Sequence, residues 1–510
     1  MIEGTSLASA YEKCANQRHS YLMRGRDSSK LTVPTILPPE GSNHASTFTT
    51  PYQSVGARGV NNLSSALLLS LLPPNAPFFR LVIDEREKMK MDQADPSLIT
   101  QVESSLSDIE RAVSREIESN NIRVSTFEAI RHLIVTGNAL VYIPDDGPMR
   151  VIHLDRFVIK RDPMGNAKMI IVKETVSPAM LPEEVKQYAD AQKSKFEDTC
   201  DLYTMQHYLP NGKVEVVQEV YGRIIEETRA QYDESSAPFI ALRMMRVDGE
   251  SYGRGYVEQY YGDLHSLEGL TKSIVEGSAA AAKVLFLVNP NGTTRARTLA
   301  ESPNGAIREG SAADVSVLQV QKAADFSVSL STMQQIGERL SYAFLLTEST
   351  IRNADRVTAE EVRLVTQSIE RQLGGIYSVL SQEFQLPLVN RIMKRMQRAG
   401  KMPKIPKGKV TPTIITGIEA LGRGNDLNRL DVFLQGIAQI LGPEALGQHI
   451  NIREYMDRRA SALGIDTDGL VRTEDEINAM MQQAQMAQMA QAATPKMAGA
   501  VAQQMEQMNG

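Results

Sequence analysis

The stretch that most constrains the fold runs from Gly253 to Leu346 and is predicted to form a helix, a short β-rich excursion and a returning helix. Its first segment, Gly253–Lys283, is long enough for roughly 46 Å of helix at about 1.5 Å per residue. Apolar residues recur along it in steps of three and four, which predicts one buried helix face. These residues are Val257, Tyr260, Leu264, Leu267, Leu270 and Ile274.

A second stripe on the same helix consists of small residues, again three or four apart. It comprises Gly262, Ser266, Gly269, Ser273, Gly277 and Ala280. Glycine inside a helix costs about 1 kcal/mol relative to alanine, so three glycines on one stripe indicate a gain from the missing side chains. Small residues let another backbone come close. Two explanations stay open: a kinked core helix within its own domain, or a helix packed side by side with copies of itself.

Length and charge limit the classes of protein that need to be considered. A chain of 510 residues exceeds what one hydrophobic core usually supports, so two to four domains are expected. The chain has 55 Lys and Arg residues and 61 Asp and Glu residues, which gives a net charge of −6. This balance differs from that of a protein that grips nucleic acid along its surface. It fits a protein that handles DNA transiently or never meets it.

Cysteine usage and the N-terminus indicate a cytoplasmic site of assembly. Cys14 and Cys200 are far apart and form no CxxC motif, which predicts free thiols in a reducing compartment. The sequence MIEGTSLASAYEK lacks the basic and apolar regions of a signal peptide. The longest apolar run, Ala66–Leu72, is too short to span a bilayer, so no membrane partner is expected.

The residues before the long helix predict a mixed α+β region in which helices come first. Helices are predicted over Ser6–Arg24, Tyr52–Leu72, Pro96–Ser119, Ser125–Gly137 and Pro182–Gln192. Residues 139–247 are predicted to be mostly β. Val151–Lys160 is predicted to be one strand, and the Pro210-Asn211-Gly212 turn predicts a hairpin. The segment between the two long helices, after Lys283, has two short predicted strands and few large apolar groups. Because it is too small to form a stable core by itself, neighbouring subunits are expected to complete its sheet.

After the returning helix, a polar loop at Thr347–Val357 precedes a clear helix start. Thr358 and Glu361 have the spacing of a capping box, and Pro387 is expected to kink the helix before it ends near Gly400. Residues 403–412 are predicted to be a linker. Two helical segments at 426–440 and 443–463 follow, and from residue 480 the chain is rich in Gln, Met and Ala.

Two common motifs for catalysis are missing from the sequence. It has no GxxxxGK[ST] or HExxH pattern, and its seven histidines are scattered. No catalytic residue, cofactor or metal site is therefore predicted, and the chain is not expected to be an enzyme.

Five long stretches resemble the portal protein, or head-to-tail connector, of short-tailed, autographivirus-type tailed phages. They are SYGRGYVEQYYGDLHSLEGL from Ser251, RVTAEEVRLV from Arg356, LGGIYSVLSQEFQLPLV from Leu373, GIEALGRGNDL from Gly417 and GIDTDG from Gly464. The likeness extends to about Glu476 and omits the tail.

The resemblance implies the α+β, helix-dominated portal fold, assembled as a ring, usually of twelve subunits, around a central channel. It assigns residues 1–250 to a wing, 251–283 to a stem helix, 284–325 to a clip, 326–346 to the returning stem helix, 347–357 to a tunnel loop, 358–400 to a kinked wing helix, 401–475 to a crown and 476–510 to a tail. The six small residues would pack between subunits. Replacing Gly269 or Gly277 by leucine is then expected to disrupt the ring.

The resemblance also implies a function in the virion. The ring would occupy one capsid vertex and form the channel for genome packaging and ejection, with assembly in the host cytoplasm. The implied partners are copies of the chain, double-stranded DNA, the terminase large subunit, the tail adaptor protein, the major capsid and scaffolding proteins and the internal core proteins. A role in starting head assembly is implied as well.

The tunnel loop is the expected contact with DNA. Its candidate residues are Arg352, Asn353 and Arg356. The two arginines have an alternative role as solvated loop residues or as ion-pair partners within the ring.

A geometric estimate is compatible with this channel. Twelve helices about 10 Å apart give a radius of about 19 Å and a bore of about 28 Å, which admits a duplex about 20 Å wide. The alternative function is that of a coiled-coil scaffolding or interaction protein that does not contact DNA. The predicted β-rich regions and the absence of long e/g charge alternation oppose it.

Overall fold

The chain forms two compact units, Met1–Gly417 and Ile418–Gly510. The structure is a computed structural model. It describes residues 6–43, 45–74, 78–94, 96–181, 186, 199–281, 285–318, 323–346, 373–403, 410–414, 433–437, 439 and 455–456. In the second unit, the described residues are helical. The numbered helices and strands below all belong to the first unit.

Most described helices of the first half of the chain precede its strands, and each type is numbered in chain order. The helices are α1 (Leu7–Lys30), α2 (Val55–Leu71), α3 (Glu85–Ala94), α4 (Pro96–Ser119), α5 (Ile122–Thr136), α6 (Tyr256–Gln259), α7 (Tyr261–Ala281), α8 (Ala296–Ala300), α9 (Ala323–Ala343) and α10 (Leu386–Arg398). The strands are β1 (Phe79–Ile83), β2 (Asn138–Tyr142), β3 (Arg150–Ile152), β4 (Phe157–Arg161), β5 (Ala167–Val176), β6 (Cys200–Tyr208), β7 (Lys213–Val220), β8 (Arg223–Asp233), β9 (Phe239–Arg243), β10 (Leu285–Val288), β11 (Val315–Leu318) and β12 (Val410–Ile414).

The strands form antiparallel sheets, which confirms the mixed α+β prediction. One sheet has the order β4-β5-β6-β7-β8, a second has the order β3-β2-β9, and β10-β11 and β1-β12 form two-stranded sheets. The predicted hairpin is confirmed, since Tyr208 pairs with Val214 across the turn and Gly212 has a φ of +71°. A positive φ suits glycine because it has no Cβ to clash with the backbone.

The single strand predicted over Val151–Lys160 was wrong. It is divided into β3 and β4, which lie in different sheets and are separated by a 3-10 turn at Leu154–Arg156. Arg18 of α1 reaches into this turn, where its buried Nη1 donates to the carbonyls of Leu154, at 2.8 Å, and Phe157. The break in the strand frees these two carbonyls to accept the guanidinium.

The largest core cluster joins α2, α4, α5, the first stem residues and the helix that ends with α10. A second part of the core lies between α1 and the five-stranded sheet, where Leu7 and Tyr11 pack on Val158 and Ile171. The first half of the chain is thus a helical layer and a sheet that share α1, as expected for an α+β domain.

The helix that precedes Gly400 changes its pitch just before Pro387, in the region of the predicted kink. Residues 373–380 are helical, Ser381–Gln385 forms a π-helical turn, and α10 continues to Arg398. Proline removes one helix hydrogen bond and crowds the carbonyl four residues earlier, so a wider turn relieves the clash. Gly400 then ends the helix with a φ of +70°. The predicted start at Thr358 lies outside the described residues.

Part of the predicted linker forms a strand. β12 pairs with β1, with Ile414 opposite Phe79 and Val410 opposite Ile83. Phe79 and Ile83 are buried, and β1 needs a partner for its backbone hydrogen bonds. Pro412 is tolerated because β12 lies at the edge of its sheet.

Candidate channel and subunit-contact site

The start of the stem packs directly on the end of α5. Gly253 N–H donates to Asn138 Oδ1 at 2.7 Å, and Asn138 Nδ2 donates to the Gly253 carbonyl at 2.9 Å. Gly137 has a φ of +77°, and a Cβ there would lie 2.4 Å from the carbonyl carbon of Arg254. A Cβ on Gly255 would lie 2.7 Å from a backbone oxygen of α5. The glycines on both sides therefore permit close contact between two backbones.

The helix predicted from Gly253 to Lys283 is shorter and interrupted. α6 ends at Gln259, Tyr260 is a turn residue, and α7 follows. Gly255 has extended φ and ψ values of −74° and 148° because it lies against α5. The prediction of one continuous helix was therefore wrong at its N-terminal end.

An ion-pair network surrounds this junction. Arg254 donates to Glu250 at 2.5 Å and to Glu258 at 2.8 Å, and Arg24 of α1 contacts Glu258 at 3.3 Å. The hydrogen bond from Arg254 lowers the pKa of Glu250, although burial acts in the opposite direction. The spacing of Arg254, four residues from each glutamate, was a signal in the sequence for this cluster, which was not predicted.

The two stem helices, α7 and α9, form an antiparallel pair. Asp263 accepts from Arg339 at 3.0 Å near the wing, and Thr271 Oγ1 donates to the sulfur of Met333 at 3.5 Å further along. The predicted apolar face is confirmed as the inner face at Leu264 and Leu267, which are both buried. The outer faces of both helices are exposed in a single subunit.

Most of the small-residue stripe is on the outer face of α7. The exposed members are Gly262, Ser266, Gly269, Ser273 and Ala280. A Cβ added to Gly262 or Gly269 would meet no atom of the described residues within 4 Å. Gly277 differs, because a Cβ there would lie 2.8 Å from the ring of Phe326 in α9. The small size of Gly277 is therefore used within the subunit.

The C-terminal end of the return helix, α9, is held by contacts with α2. Asn62 Nδ2 of α2 donates to the carbonyls of Phe344 and Leu345 at 3.1 and 3.0 Å. Leu345 has a φ of +59°, and a Cβ on Gly59 would overlap the Phe344 ring at 2.6 Å. No sequence pattern identified Asn62 as a helix-terminating residue.

The loop that follows α9 carries the predicted DNA contacts. Arg352, Asn353 and Arg356 lie outside the described residues, which resume at residue 373. Their assignment to the channel therefore stays a prediction.

The clip is an open hairpin with exposed apolar side chains. β10 and β11 pair antiparallel, and Asp314 accepts from Thr294 N–H at 3.0 Å. Phe286, Leu287 and Ile307 are 60%, 47% and 99% exposed. Among the described residues, none of the clip belongs to a hydrophobic core cluster. The residues assigned to the clip thus have little internal stabilisation and leave large apolar side chains exposed.

A comparison with protein families identifies the chain. The family described as bacteriophage head to tail connecting protein matches residues 4–471. The chain belongs to this family of phage head-to-tail connecting proteins. It is therefore a structural connector and not an enzyme, as the missing catalytic motifs predicted.

Two portal proteins of other phages support the same assignment. The connecting protein is 40% identical to the portal protein of Enterobacteria phage T3 over 481 residues, covering 93% of this chain and 89% of the relative. It is 40% identical to the portal protein of Escherichia phage T7 over 487 residues, covering 94% and 90%. A solved structure titled as the neck of an empty gene transfer agent particle matches with a TM-score of 0.38 and 11% identity, covering 81% of this chain and 90% of the other.

No described helix of the connecting protein is both long enough and apolar enough to cross a bilayer.

Proposed function

We propose that this connecting protein forms a ring, of twelve subunits as in the portals it resembles, with a central channel for double-stranded DNA. The observation that carries the proposal is the exposed small-residue stripe of α7 on a chain that belongs to the connector family. A stripe without side-chain bulk lets the stem helix of a neighbouring subunit approach closely. The ring would lie at one capsid vertex and serve genome packaging and ejection.

Negative-stain electron microscopy of the purified protein tests the ring. Rings with a central hole wide enough for a duplex are expected, and class averages give the subunit number. A monomeric protein, or an assembly too narrow for DNA, would contradict the proposal.

Gly269→Leu tests the contribution of the stripe. Because Gly269 is exposed and an added Cβ meets no described atom within 4 Å, the variant should fold normally but lose ring formation through overpacking between subunits. Gly269→Ala is the matched control and should form rings. If Gly269→Leu forms ordinary rings, the stripe is not the subunit contact.

Gly277→Leu does not test the same contact. Its side chain would collide with Phe326 within the subunit, so a loss of rings would have two explanations.

The clip is proposed to bind the terminase large subunit during packaging and the tail adaptor protein afterwards. This rests on the exposed apolar residues Phe286, Leu287 and Ile307 and on the lack of a core in the clip. The wing and crown would face the major capsid, scaffolding and internal core proteins, and assembly would begin in the host cytoplasm. The coiled-coil alternative is opposed by the family assignment and by the five-stranded sheet.

A further inference from the structure

Three potential metal ligands meet where α5 packs on the connection between β3 and β4. Glu128 and His132 are four residues apart and so lie on one face of α5, and His153 follows β3. One ligand atom from each side chain lies within 4.8 Å of the others. The two imidazole rings are 4.5 Å apart, with an angle of 58° between their planes.

His132 is the buried member of this cluster. It is 3% exposed, and its buried Nδ1 has no hydrogen-bond partner among the described residues. Buried polar atoms are nearly always paired, so an unpaired nitrogen on a side chain that lies beside two other potential metal ligands indicates a binding site. Glu128 is exposed and His153 is half-buried, which leaves a path from solvent to the cluster.

His132 can supply a nitrogen to a metal. Metal binding uses the lone pair of a neutral imidazole, and the buried Nδ1 of His132 has no hydrogen-bond partner among the described residues. The Glu128 carboxylate adds the negative charge that offsets a cation near Arg131.

We propose that Glu128, His132 and His153 bind a divalent metal ion of the zinc type. Two imidazole nitrogens and one carboxylate oxygen form a ligand set that zinc accepts, with water in the fourth position. Ligands bound at about 2.1 Å in a tetrahedron are about 3.4 Å apart, so these three would move together by at most about 1.4 Å. The metal would fasten α5, whose end supports the stem at Gly253, to the sheet.

The test uses full-length protein purified without a polyhistidine tag. Bound metal is removed with a chelator, the protein is reloaded with ZnCl₂ or CoCl₂, and free metal is removed by gel filtration. Elemental mass spectrometry of the zinc-loaded protein should find one zinc ion per subunit. The cobalt-loaded protein should show the visible absorption of a four-coordinate cobalt site. Zinc should also raise the melting temperature, because it binds only the folded chain.

Matched variants locate the site. Glu128→Gln and His153→Gln should each weaken zinc binding by roughly tenfold or more, whereas the exposed controls Glu118→Gln and His19→Gln should bind as the wild type does. Glu128 is exposed, so its substitution should leave the fold intact. The proposal is overturned if the wild type retains no more metal than His153→Gln, or if the control variants lose as much metal as the site variants.

Discussion

Glycines at single positions decide how the stem is attached to the wing. Gly137, Gly253 and Gly255 bring two backbones into contact, and Asn138 exchanges two hydrogen bonds with Gly253. Each glycine fills a place where a side chain would displace a neighbouring peptide. The Gly-Arg-Gly sequence that contributed to the resemblance therefore has a physical role at the stem base.

Gly137→Ala is expected to destabilise the protein by more than strain alone. A left-handed conformation costs about 1–2 kcal/mol for a residue with a Cβ, and here the added carbon also overlaps Arg254 and Gly255. Gly222→Ala is the control, since Gly222 has a φ of +78° but an added Cβ there would have no neighbour within 4 Å in the described part of the chain. Circular dichroism melting should show a larger decrease for Gly137→Ala. Equal decreases would mean that the backbone contact contributes nothing.

At the scale of elements, charged side chains join α4 to the end of α10. Glu116 is bound by Lys401 at 3.0 Å and by Arg395 at 3.4 Å, and Arg395 is largely buried. These contacts hold the helix that follows the π-helical turn against the wing. The hydrogen bond from Lys401 is the main cause of a lowered pKa for Glu116.

The lowered pKa of Glu116 makes the stability of the fold depend on pH in a defined direction. A carboxylate whose pKa is lowered by folding stabilises the folded state at pH values above its usual pKa of about 4.5. This stabilisation is lost as the pH falls through the pKa that the group has in the folded protein. Glu116→Gln should therefore reduce stability by about 2 kcal/mol near pH 7, and its difference from the wild type should shrink below about pH 4.5. Glu118→Gln on the same helix is the control. Melting curves across this pH range test the prediction, which fails if the difference is constant.

The clip provides a second prediction at this scale. Ile307→Asp should weaken binding of purified terminase large subunit and tail adaptor, since a charge replaces an apolar group that is 99% exposed. The fold should be unaffected for the same reason. Met164→Asp, at a wing turn where Met164 is 78% exposed, is the control. Pull-down with each partner measures the effect, and unchanged binding would place the docking surface elsewhere.

At the scale of the whole molecule, the end of the return helix directly precedes the segment that we propose as the tunnel loop. Asn62 and Phe344 hold the end of α9 at the base of the stem, on the chain that leads to Arg352 and Arg356. In a ring, this arrangement would repeat once per subunit. A few cations in an otherwise acidic or neutral channel would let a duplex slide, whereas a strongly basic wall would retain it.

The double variant Arg352→Ala, Arg356→Ala should form normal rings but package or retain less DNA. The physical reason is the loss of phosphate contacts, which the Arg352→Lys, Arg356→Lys control would keep. Microscopy measures the rings, and the DNA content of phage particles measures packaging. A normal amount of packaged genome in the alanine variant would refute the assignment of these arginines.

The sequence by itself determined the local structure and the family. Period-3.6 apolar patterns, the Pro-Asn-Gly turn and Pro387 act through residues close in the chain, so they predicted α7, the β6–β7 hairpin and the altered helix. Tertiary structure decided what depends on distant residues. Contacts between distant segments explain why the predicted strand is interrupted at Leu154 and why Gly277 packs against Phe326. Such contacts also pair β12 with β1 and bring Glu128, His132 and His153 together. These contacts follow from packing between segments, which no pattern of neighbouring residues encodes.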